Sequence, residues 1–459
     1  MSQGDLAAAP SFLHALKNRS IAVVGAGVTG SAVRAFLGSI GATSDLIDEK
    51  APDALTSVDR NYSLAIISPG WKRDHPIIQA LRESGAELIG EVDFTWRVKL
   101  ELAPEQIWVG LTGTNGKTTT VQMIESIFTA NKIHAIACGN VGVPVITAVA
   151  NAEPYQYLAL ELSSFQLEWS TEARYEAAAL LNIAPDHIDW HGSLDAYANA
   201  KLSLLRSSNL AVINAEDPES VLRATAYGGP KVFYQLETPA PGELGLVENL
   251  LVDRAFNEDS SQAHFFAELS DITPTVPHNV SNAMAAAGLA LALGIAHEDI
   301  QRGLQEFRLD RHRLELIAEQ DGISWIDDSK ATNTHAAQAA LLSALSSIWI
   351  AGGLAKGASM DELIARCAPR IKAAILIGQD RELIAASLST HAPKIPFYFI
   401  DYTSDSATLM RDVVTKAKEL ATAGDTVLLA PACASMDQFK DYKERGDLFA
   451  QAVRELVVP

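Results

Sequence analysis

The sequence predicts an α/β fold of three domains with mostly parallel sheets, and three observations carry that expectation. Short apolar runs alternate with helix-like segments from end to end, as parallel strands joined by crossover helices do. At 459 residues the chain exceeds one ordinary core, and about 150 residues per domain gives roughly three domains. Two glycine-rich turns, GAGVTG and TGTNGKTT, each follow an apolar run and precede a helix-like one. Phosphate loops of nucleotide folds occupy that position. The expected segments are 1–95, Rossmann-like; 96–309, P-loop ATPase-like; and 310–459, Rossmann-like again.

In the first segment IAVVG, SDLID, LAIISPG and ELIGEVDF read as strands. IAVVGAGVTG breaks into Gly25, Gly27 and Gly30 before SAVRAFL, and Asp48 follows Gly30 by 18 residues. That spacing has the form of a dinucleotide site. The same glycines suit any tight turn that brings backbone N–H groups to a phosphate, so the diphosphate stays open at this point. The second segment carries IWVGLTG, IHAIACGN, YLALELSS, AAALLNIA and AVINAED. A polar, poorly patterned stretch near 235–275 follows, then the Ala-rich run at 283–296, expected as a buried helix too short to span a bilayer. The third segment carries ISWIDDS, SIWIAGG, AAILIG, FYFID and TVLLAPA.

Composition excludes several classes. Apolar content of 48% with 20% charged residues is that of a soluble globular protein. A formal charge of −20 repels nucleic acid and anionic membrane, so any phosphate must be held locally. Cys138, Cys367 and Cys433 are scattered and odd in number, which supports neither a disulfide framework nor a zinc quartet. MSQGDLAAAPSFLHALKNRS has no basic region leading into an apolar one, and no secretory signal is expected.

TGTNGKTTT departs from strict P-loop spacing, since Leu111 stands five before Gly116. The physics survives: glycines free the backbone to wrap phosphate, Lys117 supplies a cation, and Thr118 offers a hydroxyl to Mg²⁺. In open parallel sheets ligands bind beyond the carboxyl ends of strands. That rule singles out Asn140, Glu161 and His187 with Asp186 and Asp189 in the second segment. In the third it singles out Asp327, Asp328, Lys330, Lys356 and Cys433, the last read as packing rather than a nucleophile.

In this order TGTNGKTT, ELSSFQL, NIAPDHIDWH, HNVSNAMAA, DRHRLE, DDSKATN and PACASMDQF resemble the Mur ligases of peptidoglycan synthesis, over essentially the whole chain. DDSKATN and ACASMDQF resemble the branch that adds D-glutamate, and no DNPR motif is present. The resemblance implies a cytoplasmic, monomeric, ATP-dependent ligase acting on UDP-N-acetylmuramoyl-L-alanine and D-glutamate, with no nucleic-acid or membrane partner. Two Mg²⁺ ions are implied, with Thr118, Glu161, His187 and a carbamylated Lys201 as their ligands or support. Taken as a residue alone, Lys201 reads as a surface lysine.

The resemblance places ATP at Gly113, Thr114, Asn115, Gly116, Lys117, Thr118, Thr119, Asn279, Asn282, Arg313 and Asp328. It places the UDP-bearing substrate at Val28, Thr29, Asp48, Lys50, Ser68, Pro69, Gly70, Asn140 and His187. It places D-glutamate at Lys330, Thr332, Lys356, Ser435, Met436 and Tyr442. Leu354 stands in GGLAKG where some members carry an acid, which weakens a carboxylate contact from that loop. A dehydrogenase built on GAGVTG has no use for TGTNGKTT, and a plain P-loop ATPase has no use for the first segment. Domain closure is expected, because ATP contacts are shared between the second and third segments.

Overall fold

Each strand-like run contains a strand in the computed structural model, which describes residues 11–458 apart from 52, 53, 59, 258, 260, 403 and 404. Residues 1–10, part of the stretch read for a signal, lie outside the described residues. The first sheet comprises β1 (Ile21–Val24), β2 (Ser44–Ile47), β3 (Leu64–Ile67) and β4 (Glu87–Gly90), all parallel in the order β2-β1-β3-β4. The second half of ELIGEVDF is not strand. Gly90 caps the helix Glu91–Leu102, whose first turn holds Glu91 and Asp93, the sign that a helix N-terminus favours.

That helix leads straight into the second sheet, and residue 96 lies within it. The strands are β5 (Ile107–Thr112), β6 (Ala135–Gly139), β7 (Tyr157–Glu161), β8 (Tyr175–Leu180), β9 (Ser208–Asn214), β10 (Lys231–Tyr234), β11 (Glu243–Val247), β12 (Leu250–Asp253) and β13 (His264–Glu268). Their order is β13-β12-β11-β10-β9-β8-β5-β7-β6, parallel from β6 to β11 and antiparallel through β12 and β13. The polar stretch near 235–275 thus supplies β11 to β13. Edge strands with one exposed face carry little apolar signal, as His264 and Phe265 of β13 illustrate by their exposure. The Ala-rich run lies in the buried helix Pro277–Ala292 and ends sooner than expected, the chain turning at Gly294 with φ 77°.

The third sheet comprises β14 (Glu315–Gln320), β15 (Ile323–Asp327), β16 (Ser347–Gly352), β17 (Ile371–Ile377), β18 (Phe397–Phe399) and β19 (Thr426–Leu429). Its order is β14-β15-β19-β16-β17-β18, parallel except for the β14 hairpin. The chain divides into two compact units. One runs to Thr275 and resumes over Asn279–Phe307, holding the first two sheets; the other holds the third sheet, Arg308 onward with Val276–His278. Among the described residues no helix is long and apolar enough to cross a membrane.

Sheet order locates the ligand sites. β1 has β2 on one side and β3 on the other, and β5 lies between β7 and β8. Both are points where the winding reverses, leaving a crevice beyond the strand end. GAGVTG follows β1 and TGTNGKTT follows β5. In the third sheet β15, β19 and β16 are adjacent, so DDSKATN, PACASM and GGLAKG emerge side by side.

Candidate active site

Gly116 caps the helix Lys117–Ala130 at φ 83°, a left-handed conformation that suits glycine, and no side chain caps the N-terminus. The N–H groups of its first turn and the positive helix end favour a phosphate there. A Cβ on Gly116 would collide with Asn282 Oδ1, so the loop packs directly on HNVSNAM. Thr120 Oγ1 donates to that same oxygen at 3.3 Å. From β8, Asn182 accepts the Asn115 N–H at 2.8 Å and donates to Asn115 O at 3.1 Å. Thr114 Oγ1 lies 2.9 Å from Tyr197 OH and accepts the Ala184 N–H at 2.9 Å. Lys117 Nζ donates to Gly113 O and Thr114 O, each at 2.8 Å, and so stays folded over its loop.

Around this loop three predicted groups converge. Glu161 ends β7 fully buried, with Oε1 accepting from Asn140 Nδ2 at 2.8 Å and Oε2 lacking a partner. An orphaned buried carboxylate oxygen is what a hard cation would satisfy. Lys201 is buried rather than on the surface, a correction to the residue-level expectation. Its Nζ donates to Gly113 O at 2.8 Å and lies 4.6 Å from the Tyr197 ring centre. Burial, with help from Lys117, holds its ammonium pKa well below that of an ordinary lysine, against the pull of Asp186 and Glu161. His187 sits at φ 53°, an uncommon backbone state for a side-chain-bearing residue, with its ring 4.7 Å from Phe165. Desolvation lowers its pKa, with Lys117 and Lys201 adding to the shift and Asp186 and Asp189 opposing it.

A cavity of about 320 Å³ opens beside this cluster, lined by Val28, Thr29, Pro69, Asn140, Ser163 and Phe165 among others. Four of these are predicted substrate residues; Ser163 and Phe165 were quoted within ELSSFQL but given no role. Asn140 belongs to both the cavity and the Glu161 contact. The 68–72 loop is tied to the His187 segment: Lys72 Nζ donates to Asp189 O at 3.1 Å and Trp190 Nε1 to Gly70 O at 3.3 Å. His191 Nε2 lies 2.9 Å from Ser164 Oγ and its ring stacks on Phe165. Asp48 is occupied locally, accepting the Ala26 N–H and the Lys50 N–H at 2.8 Å each. These bonds hold its carboxyl below the usual range. Its job is to shape the glycine turn, which leaves the ribose role of a dinucleotide site without support. Lys50 is exposed.

In the second unit Lys330 Nζ stands 5.3 Å from the Tyr442 ring centre, joining two predicted residues. Leu354 and Ala434 exchange backbone hydrogen bonds at 2.8 and 3.0 Å, which zips the Lys356 loop to the Ser435–Met436 loop. Leu354 therefore contributes its backbone, which any residue but proline supplies. Lys356 is exposed at φ 50° and Met436 is exposed. Thr332 N–H donates to Lys330 O at 2.9 Å. Asp328 accepts the Leu314 N–H at 3.3 Å; burial pushes its carboxyl up to about 7, with Arg313 and that bond opposing.

Sequence reasoning missed the support beneath. His312 Nδ1 is 2.7 Å from Asp327 Oδ2, and this hydrogen bond raises the imidazole pKa. Buried Arg445 donates to Ser329 Oγ, Ser329 O and Cys433 O. No motif spacing marks Arg445. His312 stood inside a quoted motif without a role, and Asn182 follows β8 as the strand-end rule required.

A phosphate loop at one switch point, a second glycine turn at another and a buried Lys–Glu cluster between them define a nucleotide-dependent α/β enzyme. Family models match residues 111–290 as the Mur ligase middle domain and 312–433 as the Mur ligase, glutamate ligase domain. The UDP-N-acetylmuramoylalanine–D-glutamate ligase of Streptomyces coelicolor is 45% identical, over 95% of this chain and 98% of that protein. The chain belongs to the Mur ligase family. Among solved structures, a pseudomurein peptide ligase type C from Methanothermus fervidus shares the fold at a TM-score of 0.61 and 19% identity, covering 95% of this chain and 100% of that one. The MurF ligase of Thermotoga maritima, solved in complex with ADP, is similar at a TM-score of 0.57 and 16% identity, over 86% and 96% of the two chains.

Proposed function

We propose that this Mur ligase adds D-glutamate to UDP-N-acetylmuramoyl-L-alanine at the expense of ATP. Asn140 carries the reading: it lines the cavity beside GAGVTG and donates to Glu161 at the end of β7, which supports a meeting of the substrate's acyl end and the ATP γ-phosphate there. Residues 1–95 hold the UDP end, 96–309 ATP, and 310–459 the incoming amino acid, as three functional domains.

A carboxylate is a poor electrophile. The alanyl carboxylate oxygen therefore attacks the γ-phosphorus, the bond to the β-phosphate oxygen breaks, and ADP leaves an acyl phosphate behind. The D-glutamate amine then adds to the carbonyl carbon, and the tetrahedral intermediate expels phosphate while the amine loses a proton. Such transfers between anions need positioning and charge neutralisation above all. Lys117 swings from its loop carbonyls to the β- and γ-phosphates. Lys330 and Lys356 receive the carboxylates of glutamate, which the protein's negative charge would otherwise repel.

Two Mg²⁺ ions fit the donor set. The orphaned Glu161 oxygen and Thr118 would hold one, His187 and a carbamylated Lys201 the other, supplying charge neutralisation at the transferred group. A depressed amine pKa leaves more of Lys201 neutral and able to take up CO₂. The enzyme acts as a cytoplasmic monomer. Phosphate release is expected only when ATP, Mg²⁺, UDP-N-acetylmuramoyl-L-alanine and D-glutamate are all present, measured over a panel of amino acids. Release indifferent to the muramyl nucleotide, or preference for another amino acid, overturns the reading.

A further inference from the structure

The helix Ser164–Trp169 forms one wall of the substrate cavity, yet its six residues are too few to hold a helix by themselves. Part of what holds it comes from the helix Glu91–Leu102, beside the Trp169 Nε1 bond to Trp71 O, the Arg73 bonds to Glu168 and the His191–Ser164 contact. At the far end Asp93 accepts hydrogen bonds from Ser170 Oγ, Thr171 N–H, Glu172 N–H and Ala173 N–H at 2.6 to 3.0 Å. At the near end Gln166 Oε1 accepts from Ser163 N–H at 2.9 Å and from Ser163 Oγ at 3.0 Å. The amide's other end, Nε2, donates to Glu91 Oε1 at 2.8 Å.

Glu91 is buried, and burying a carboxyl group is costly where an apolar side chain would pack as well. Its position has a specific use. An amide presents a donor end and an acceptor end of nearly equal shape, and only its partners choose between them. An oxygen at residue 91 draws Nε2 inward and so turns Oε1 toward Ser163. Ser163 and Phe165 line the cavity, and Glu161 lies two residues before Ser163. We propose that Glu91 is a positioning residue that, by orienting the Gln166 amide, fixes the Ser163–Phe165 wall of the muramyl-nucleotide pocket. The inference rests on the substrate reading above.

Two variants test it. Glu91→Gln keeps the length and an acceptor oxygen, whereas Glu91→Met keeps the volume and removes the acceptor. Losing one orienting hydrogen bond is expected to raise the KM for UDP-N-acetylmuramoyl-L-alanine roughly three- to tenfold in the Met variant. Its kcat and its KM for ATP should stay within about twofold, and the Gln variant should match wild type. A Met variant with unchanged muramyl KM overturns the proposal. So does an equal rise for both nucleotides, the mark of a general loss of structure. If the Met variant does not fold, a Gln variant with raised muramyl KM alone likewise overturns it, and one that matches wild type upholds it. Calorimetric titration of the muramyl nucleotide without ATP separates the two readings. Failure of wild type to bind sinks the substrate assignment, while equal binding by wild type and Met variant sinks only the role of Glu91.

Discussion

Lys201 lies in AYANAKLSLL, where nothing in the residue pattern distinguishes it from a solvated lysine. The helix Leu194–Arg206 turns it inward, against Gly113 O and the Tyr197 ring, where burial makes the ammonium costly. A neutral amine is the form that adds to CO₂, and a carbamate would return a negative group beside Lys117. Replacing Lys201 by Ala removes both forms. Activity is expected to fall by roughly 100-fold, the upper end for losing a group that supports a metal ligand set. Formate or acetate at high concentration should restore part of it by occupying the vacated space as an anion. Steady-state phosphate release with and without the added acid checks this, and absence of rescue with intact circular dichroism counts against the carbamate. Burial of this side chain is a tertiary property, so the family resemblance could single it out and the residue pattern could not.

Glu91 and Asp93 open the helix Glu91–Leu102, and the two carboxylates differ in what surrounds them. Asp93 is met by donors on all sides, whereas Glu91 faces the Gln166 amide, Asp93 itself and buried Cys138. Desolvation, reinforced by Asp93 and opposed by the Gln166 bond, pushes the Glu91 carboxyl up to about 7. Unfolded, the group ionises near the ordinary glutamate value. The folded state therefore retains a proton that the unfolded state has released, and stability contributed by this group is present at low pH and lost as pH rises toward 7. Glu91→Gln removes that titration. Its gain over wild type in denaturant unfolding should be near zero at pH 4.5 and grow to roughly 3 kcal/mol above pH 7. A difference that does not vary with pH contradicts the linkage. At this scale most of the parallel strands were legible, because buried strands read as continuous apolar runs such as LAII and SIWIAG, whereas the short parallel strands β10 and β11 were not. ELIGEVDF and the 235–275 stretch were not. In the first, an apolar run crosses from strand to helix at Gly90; in the second, antiparallel edge strands share their residues between core and water.

On the proposed reading two phosphate loops serve one reaction; each glycine turn follows a strand at the switch point of its own sheet, and both sheets lie in the same compact unit. A dehydrogenase would need only the first and a simple ATPase only the second. The two loops are therefore expected to be separable by mutation. Gly27 caps the helix Val28–Ser39 at φ −68°, a backbone state open to any L-residue, and a Cβ there meets nothing within 4 Å. The Cβ of a valine there meets open space at the helix N-terminus, where on the proposed reading the added bulk stands in the way of the diphosphate. Gly27→Val should raise the KM for UDP-N-acetylmuramoyl-L-alanine roughly tenfold, the equivalent of one lost charge-assisted hydrogen bond, and leave the KM for ATP nearly unchanged. Lys117→Ala should give the mirror pattern, with turnover lost because the β- and γ-phosphates lack their cation while the muramyl nucleotide still binds. Initial-rate kinetics in both substrates, with calorimetric titration of each nucleotide, read the two patterns. If Gly27→Val instead weakens ATP, or Lys117→Ala turns over normally, the assignment of the two diphosphates to the two sheets is wrong.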